Sequence, residues 1–169
     1  QLKELDSNEC RNWEEAISIS DRYTGKFLFC SRINQLSKHD VLDKIKFTVD
    51  IMDSKQQIIN SAPLRGDQSC SQGLIVCPHP TDCHQYYIFS LDSRSTTNLG
   101  RGDNYKTQLS YSTVHVSNGV VTLLRRDIPV IQDFFTEGMA GTIHGNGHDF
   151  WIVLRRYNPH SFVAIPITG

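Results

Sequence analysis

The chain has 169 residues and a formal net charge of -1, with 38% hydrophobic and 21% charged residues. That is enough chain for one domain with a hydrophobic core. The charge balance gives no basic face for nucleic acid, and no apolar run approaches the ~20 residues needed to span a bilayer. The opening QLKELDSNECRNWEE is polar from its start, so no signal peptide is expected within this stretch.

The first section reads as short strands. Ala16-Ile17-Ser18-Ile19-Ser20 alternates small polar and apolar residues, Asp21 to Gly25 carries turn chemistry, and Lys26 to Cys30 resumes as a buried strand. Phe47, Val49 and Ile51 alternate with Thr48, Asp50 and Met52; Asp53-Ser54-Lys55 turns the chain into Gln57-Ile58-Ile59 as a fourth strand.

The second section repeats the plan. Strands are expected at Leu74–Cys77, Tyr86–Leu91, Gln108–Val116 and Val120–Leu124, with Ser117-Asn118-Gly119 as a hairpin turn because Asn-Gly accepts positive φ at low cost. A third copy starts at Gly141, turns at Gly145-Asn146-Gly147, and continues as Phe150–Leu154 and Phe162–Ile167. Helical periodicity is scarce; only Ile131 to Glu137 suggests a helical turn or two.

The repeat is clearest in the second strands, FLFC, YYIF and FWIV, which begin at Phe27, Tyr86 and Phe150 and so lie 59 and 64 residues apart. Repeated four-stranded meanders predict an all-β fold of the β-propeller type. The expected blades span about 15–60, 71–126 and 140–169, a partial propeller of about three blades in a single domain over 15–169, preceded by a segment 1–14 of undefined structure. The period is longer than the ~40–50 residues of compact propeller repeats, and loops at 32–44, 93–106 and 125–139 carry the excess. A β-sandwich of eleven such strands is the competing fold, but it does not explain the repeat.

AISISDRYTGKFLF, SQGLIVCPHP followed by YYIFSLD, LSYSTVHVSNG, and HGNGHDFWIVLRRYNPHSFVAIPIT together resemble, in order and with similar gaps, the propeller-like N-terminal regions of large secreted or cell-surface Bacteroidetes proteins. Such proteins continue into PKD-type repeats and a C-terminal sorting domain for type IX secretion. The resemblance covers Ala16 to Thr168 and implies a repeat scaffold, secreted or at the cell surface, without implying a catalytic residue. The chain departs from the family pattern at Cys77, at Cys83, and at His115, where the pattern has Asp.

Cys77, His79, Asp82, Cys83 and His84 crowd one short polar stretch between two apolar runs. Three readings stand: a polar hairpin tip, a Cys77–Cys83 disulfide across the hairpin, or a metal site, for which the Cys-x5-Cys spacing is unusual. The chain has five cysteines, an odd count that excludes complete intramolecular pairing. His144, His148 and Asp149 form a second cluster, but Gly145-Asn146-Gly147 between the histidines makes it a turn rather than a helical chelate. No zinc or calcium set is expected, and no cofactor.

Arg65-Gly66-Asp67 and Arg101-Gly102-Asp103 are both RGD tripeptides in loop contexts. Phe27, Phe29, Tyr86, Tyr87, Phe150 and Trp151 fit inter-blade packing. Trp13, Tyr105 and Tyr157 fall in loops and suit a ligand-contacting face. No nucleophile elbow, metalloprotease motif, phosphate loop or paired carboxylate is present. The expected function is therefore a noncatalytic propeller module mediating protein or glycan interaction. The alternative is a propeller-fold carbohydrate-active enzyme, of glycoside hydrolase or lyase type, with carboxylates converging from distant loops. Three blades do not readily close a ring, so the chain is expected to be part of a longer protein or to self-associate.

Overall fold

The computed structural model describes residues 16–35, 47–62, 64–66, 72–92, 106–157 and 159–169. Among them every regular element is a strand: β1 (Ser18–Ser20), β2 (Phe27–Gln35), β3 (Phe47–Asp53), β4 (Leu64–Arg65), β5 (Leu74–Pro78), β6 (Gln85–Asp92), β7 (Thr107–Ser117), β8 (Val120–Asp133), β9 (Phe135–Ile143), β10 (Phe150–Arg156) and β11 (Ser161–Ile167). The chain is all-β. It forms three antiparallel meanders in sequence order, β1-β2-β3-β4, β5-β6-β7-β8 and β9-β10-β11. FLFC, YYIF and FWIV open β2, β6 and β10, the second strand of each sheet.

The sheets pack face on face, with β5–β8 in the middle. Strand side chains alternate between faces, and here both faces are apolar. Leu74, Tyr86, Ile88, Val114 and Val116 pack with Phe29, Val49 and Ile51 of the first sheet. Their neighbours Cys77, Phe89, Leu91 and Leu109 pack with Met139, Ile152 and Leu154 of the third. Hydrogen bonds tie the layers: the Arg65 N–H donates to the side-chain Asp127 Oδ1 at 3.0 Å, the Met139 N–H donates to the Gln72 carbonyl at 3.0 Å, and the Thr107 hydroxyl donates to the Phe135 carbonyl at 3.2 Å. The approach of β9 to β5 is close: a Cβ at Gly141 would lie 3.1 Å from Ile75 Cγ2, tighter than ordinary packing.

Four expectations are corrected. The fourth strand of the first sheet is Leu64–Arg65, not Gln57–Ile59; Ile58 makes only an isolated bridge to Met52. Gln57–Ile59 still lies against β3 through two backbone bonds, the Asp53 N–H to the Gln57 carbonyl at 3.0 Å and the Ile59 N–H to the Ile51 carbonyl at 2.9 Å, and there the regular pairing stops. Asn60 continues the contact with its carboxamide: Oδ1 accepts the Ile51 N–H at 2.8 Å, and Nδ2 donates to the carbonyls of Val49 at 3.3 Å and Ala62 at 3.1 Å.

The helical turn expected at 131–137 and the loop expected at 125–139 are both strand. β8 continues to Asp133, pairing Ile131 with Leu109 and Asp133 with Thr107. After Phe134 alone, β9 begins at Phe135, earlier than the expected Gly141. β8 hides its periodicity because its register shifts around Ser110 and Thr113, and because Asp127 takes a positive φ of 49° while donating its N–H to Ser112 Oγ at 3.0 Å. Such bulges insert residues that break strict alternation. Asp133 makes the corner into β9, accepting the Phe134 N–H at 2.8 Å and Arg156 Nε at 2.7 Å.

Leu109, fully buried between the middle and third sheets, offers a direct check on this layering. Leu109→Ala is expected to cost about 2–5 kcal/mol by denaturant unfolding, against a change within about 0.5 kcal/mol for Thr122→Ala at an exposed position.

Candidate functional site

The first strands of the three sheets converge. Ala16, Ile17, Ser18 and Ile19 around β1, Gln72 and Leu74 to Cys77 around β5, and Met139 to Gly141 of β9 line one open groove of about 730 Å³. Among the described residues that line it, the Cys77 thiol is the one titratable group. Burial pushes that thiol up to about 12, so it stays protonated and inert at neutral pH.

The turns at one end form a rim beside this groove. The β1–β2, β5–β6 and β7–β8 turns border a common small cavity. The β9–β10 turn joins them from the third sheet, because Phe150 pairs with Ile167 and the following Gly169 packs on Thr81 of the β5–β6 turn. Five of the chain's seven histidines, His79, His84, His115, His144 and His148, fall at this end.

Most of the rim chemistry builds turns. Asp82 Oδ1 accepts the His84 N–H at 2.9 Å and Oδ2 accepts Gln85 Nε2 at 2.6 Å. Those bonds, the His84 one foremost, hold its carboxyl below its ordinary value. His79 stacks on Tyr87 at 5.1 Å between ring centroids, and His84 faces His115 at 6.0 Å. In the β9–β10 turn Asp149 accepts Asn146 Nδ2 at 2.7 Å and pairs with His148 Nδ1 at 3.0 Å. These contacts, led by Asn146, likewise lower its carboxyl, while His144 lies 5.5 Å from Trp151. Asp21 Oδ1 accepts the N–H groups of Tyr23 and Thr24 and the Thr24 hydroxyl, at 3.0, 2.7 and 2.8 Å, and the Thr24 backbone bond is the main cause of its lowered carboxyl. Among the described residues no group of three or more His, Cys, Asp and Glu is placed to hold a metal ion.

The polar stretch at 77–84 is thus a hairpin tip. Cys77 and Cys83, the pair that one reading joined in a disulfide, are free thiols. Cys77 belongs to the core against the third sheet, whereas Cys83 is exposed and borders the cavity beside the first sheet. They serve opposite sides of the middle sheet.

The three loop aromatics are not brought together. Trp13 and Tyr105 lie outside the described residues. Tyr157 sits in the β10–β11 turn, edge-on to His160 at 5.9 Å, at the end away from the histidine rim. In the first RGD, Arg65 is held through its backbone by Asp127; Asp67, Cys10, Cys70 and the whole second RGD lie outside the described residues. The groove residues Ser18, Gln72 and Ala140 and the cavity residues Lys26 and Tyr86 were not singled out as ligand-contacting from sequence. Their only signal is position, on first strands and turns of successive repeats.

Comparison of the chain with protein-family models, curated proteins and solved structures finds no match. Among the described residues no helix is long and apolar enough to cross a membrane.

Two outcomes follow from this geometry. Iodoacetamide at neutral pH is expected to alkylate Cys83 in the native protein, and Cys77 only after unfolding, as read by peptide mass mapping. For the turn acids, folded pKa values below the unfolded ones mean stability that is present above about pH 4 and lost as pH falls through the folded values. NMR titration of the Asp21, Asp82 and Asp149 carboxyls is expected to give midpoints below about 3.9.

Proposed function

We propose that the chain is a noncatalytic β-propeller module of a secreted or cell-surface protein, acting in protein or glycan interaction. One observation carries the reading: the first strand of every sheet borders a single groove, while the sheets stack face to face in chain order. Propeller blades are arranged this way around a channel. The ordered resemblance to propeller-like regions of secreted Bacteroidetes proteins supports the cellular setting. Propellers close with about four to eight blades, so the reading requires further blades from a longer chain or from a second copy.

The groove's chemistry favours binding over catalysis. A glycoside hydrolase or lyase needs a pair of carboxylates across its substrate. Among the described residues that line the groove none is acidic, and Asp21, Asp82 and Asp149 at the rim are each engaged in their own turns.

The test is a screen of the protein on glycan and protein arrays, paired with Ser18→Glu. Ser18 is exposed on β1 and borders the groove, so a charge there leaves the core intact. Selective binding that Ser18→Glu weakens, with an unchanged unfolding midpoint, is the expected result. Turnover of a polysaccharide would support the enzyme alternative instead.

A further inference from the structure

We propose that the outer face of the third sheet is a self-association surface, on which a second copy of this chain packs its own third sheet about a two-fold axis. The inference concerns that sheet face and does not rest on the interaction-module reading.

Alternation along the strands sets what the face carries. In β10, Ile152 and Leu154 pack toward the middle sheet, so Trp151 and Val153 point the other way. In β11, Val163, Ile165 and Ile167 pack toward the middle sheet, which turns Phe162, Ala164 and Pro166 outward. The register sets Trp151 beside Pro166, Val153 beside Ala164 and Arg155 beside Phe162, with Ala140 of β9 on the far side of Val153. Phe162 is 75% exposed. Ala140, Ala164 and Pro166 are exposed as well, and Trp151 and Val153 are half-buried. A contiguous apolar face on the outside of a protein marks a contact surface. The end unit of a stack needs a polar outer face instead.

The middle sheet shows what covers such a face. YYIF and FWIV hold equivalent places in β6 and β10. Tyr86 and Ile88 face the preceding sheet, as Phe150 and Ile152 do. Tyr87 and Phe89 face the following sheet and pack against it. Trp151 and Val153 are their counterparts, and no following sheet exists among the described residues. The occupant that fits is another antiparallel sheet.

A second copy offers two end sheets, and burial selects between them. In the first sheet Val49 and Ile51 pack toward the middle sheet, so Asp50 and Met52 point outward. Both are already only 3% exposed, which closes that face to a partner. The third sheet of the second copy is open. It is also self-complementary. Arg155 and Trp151 stand on either side of Val153 along the same face of β10. A two-fold axis lying across the strands near Val153 sets Arg155 of each copy against Trp151 of the other, a cation on an aromatic face, and keeps the two arginines apart. The small row Ala140, Val153 and Ala164 lets the sheets approach.

Size bounds the affinity. Three strands at a spacing of about 4.8 Å, with about 3.4 Å per residue along them, make a face of roughly 14 by 24 Å. Two such faces bury on the order of 1,000 Å² in all, the low end for a specific interface. A reversible dimer with a micromolar Kd is expected.

The test is sedimentation equilibrium of the 169-residue chain from about 1 to 500 µM. The mass is expected to rise from one chain to two and stop there. Ala164→Lys and Phe162→Ser alter exposed positions, so the unfolding midpoint is expected to hold while each weakens the dimer about tenfold or more. Val120→Lys, at an exposed apolar position on β8 of the middle sheet, is expected to leave the dimer unchanged. A chain that stays monomeric up to about 500 µM overturns the proposal, as does a dimer that Ala164→Lys and Phe162→Ser both leave intact. Mass that grows past two chains means head-to-tail contact between different surfaces and overturns it too. Equal loss of the dimer in Val120→Lys would trace association to exposed apolar residues in general, and likewise overturns it.

Discussion

The middle sheet is apolar on both faces, and the rest of the architecture depends on that. Along β6 the sequence Tyr86-Tyr87-Ile88-Phe89 sends alternate side chains to opposite sides, and each side meets a different partner sheet. A sheet with two apolar faces is unstable in water unless both are covered, and burying each large aliphatic or aromatic side chain is worth about 1.5–3 kcal/mol. The first and third sheets are held in place by this requirement. Their stacking brings β1, β5 and β9 to one groove and gathers the turns into a rim.

Polar groups are placed where that stacking leaves room for them. Asn60 repairs the gap beside β3 with its own carboxamide. Asp127 joins the first sheet to the middle one through the Arg65 N–H, and Asp133 turns β8 into β9 while holding Arg156. Each carboxylate or amide satisfies backbone groups that a regular ladder would otherwise pair. The same logic occupies Asp21, Asp82 and Asp149 in the rim, so acids that look available for chemistry in the sequence are already engaged by neighbouring donors.

One polar group departs from this pattern: among the described residues Ser110 Oγ is buried without a partner, and the structure offers no physical account of it.

The all-β class, the three meanders and the equivalence of the strands at Phe27, Tyr86 and Phe150 were legible in the sequence. Alternation is a local property with a period of two residues, and strands covered on one or both faces display it directly. The hairpin at Asn118-Gly119 was legible for a similar reason, since positive φ is a cost paid within the turn itself. Tertiary structure alone decided the length of β8, the early start of β9 and the replacement of Gln57–Ile59 by Leu64–Arg65. In β8 the bulges erase the alternation, and after Ile59 the contact with β3 passes to the Asn60 side chain. It also decided the site. Ser18, Leu74 and Ala140, or Asp21 and Tyr86, are distant in sequence and carry no shared motif. They meet only because a two-faced sheet must be covered on both sides.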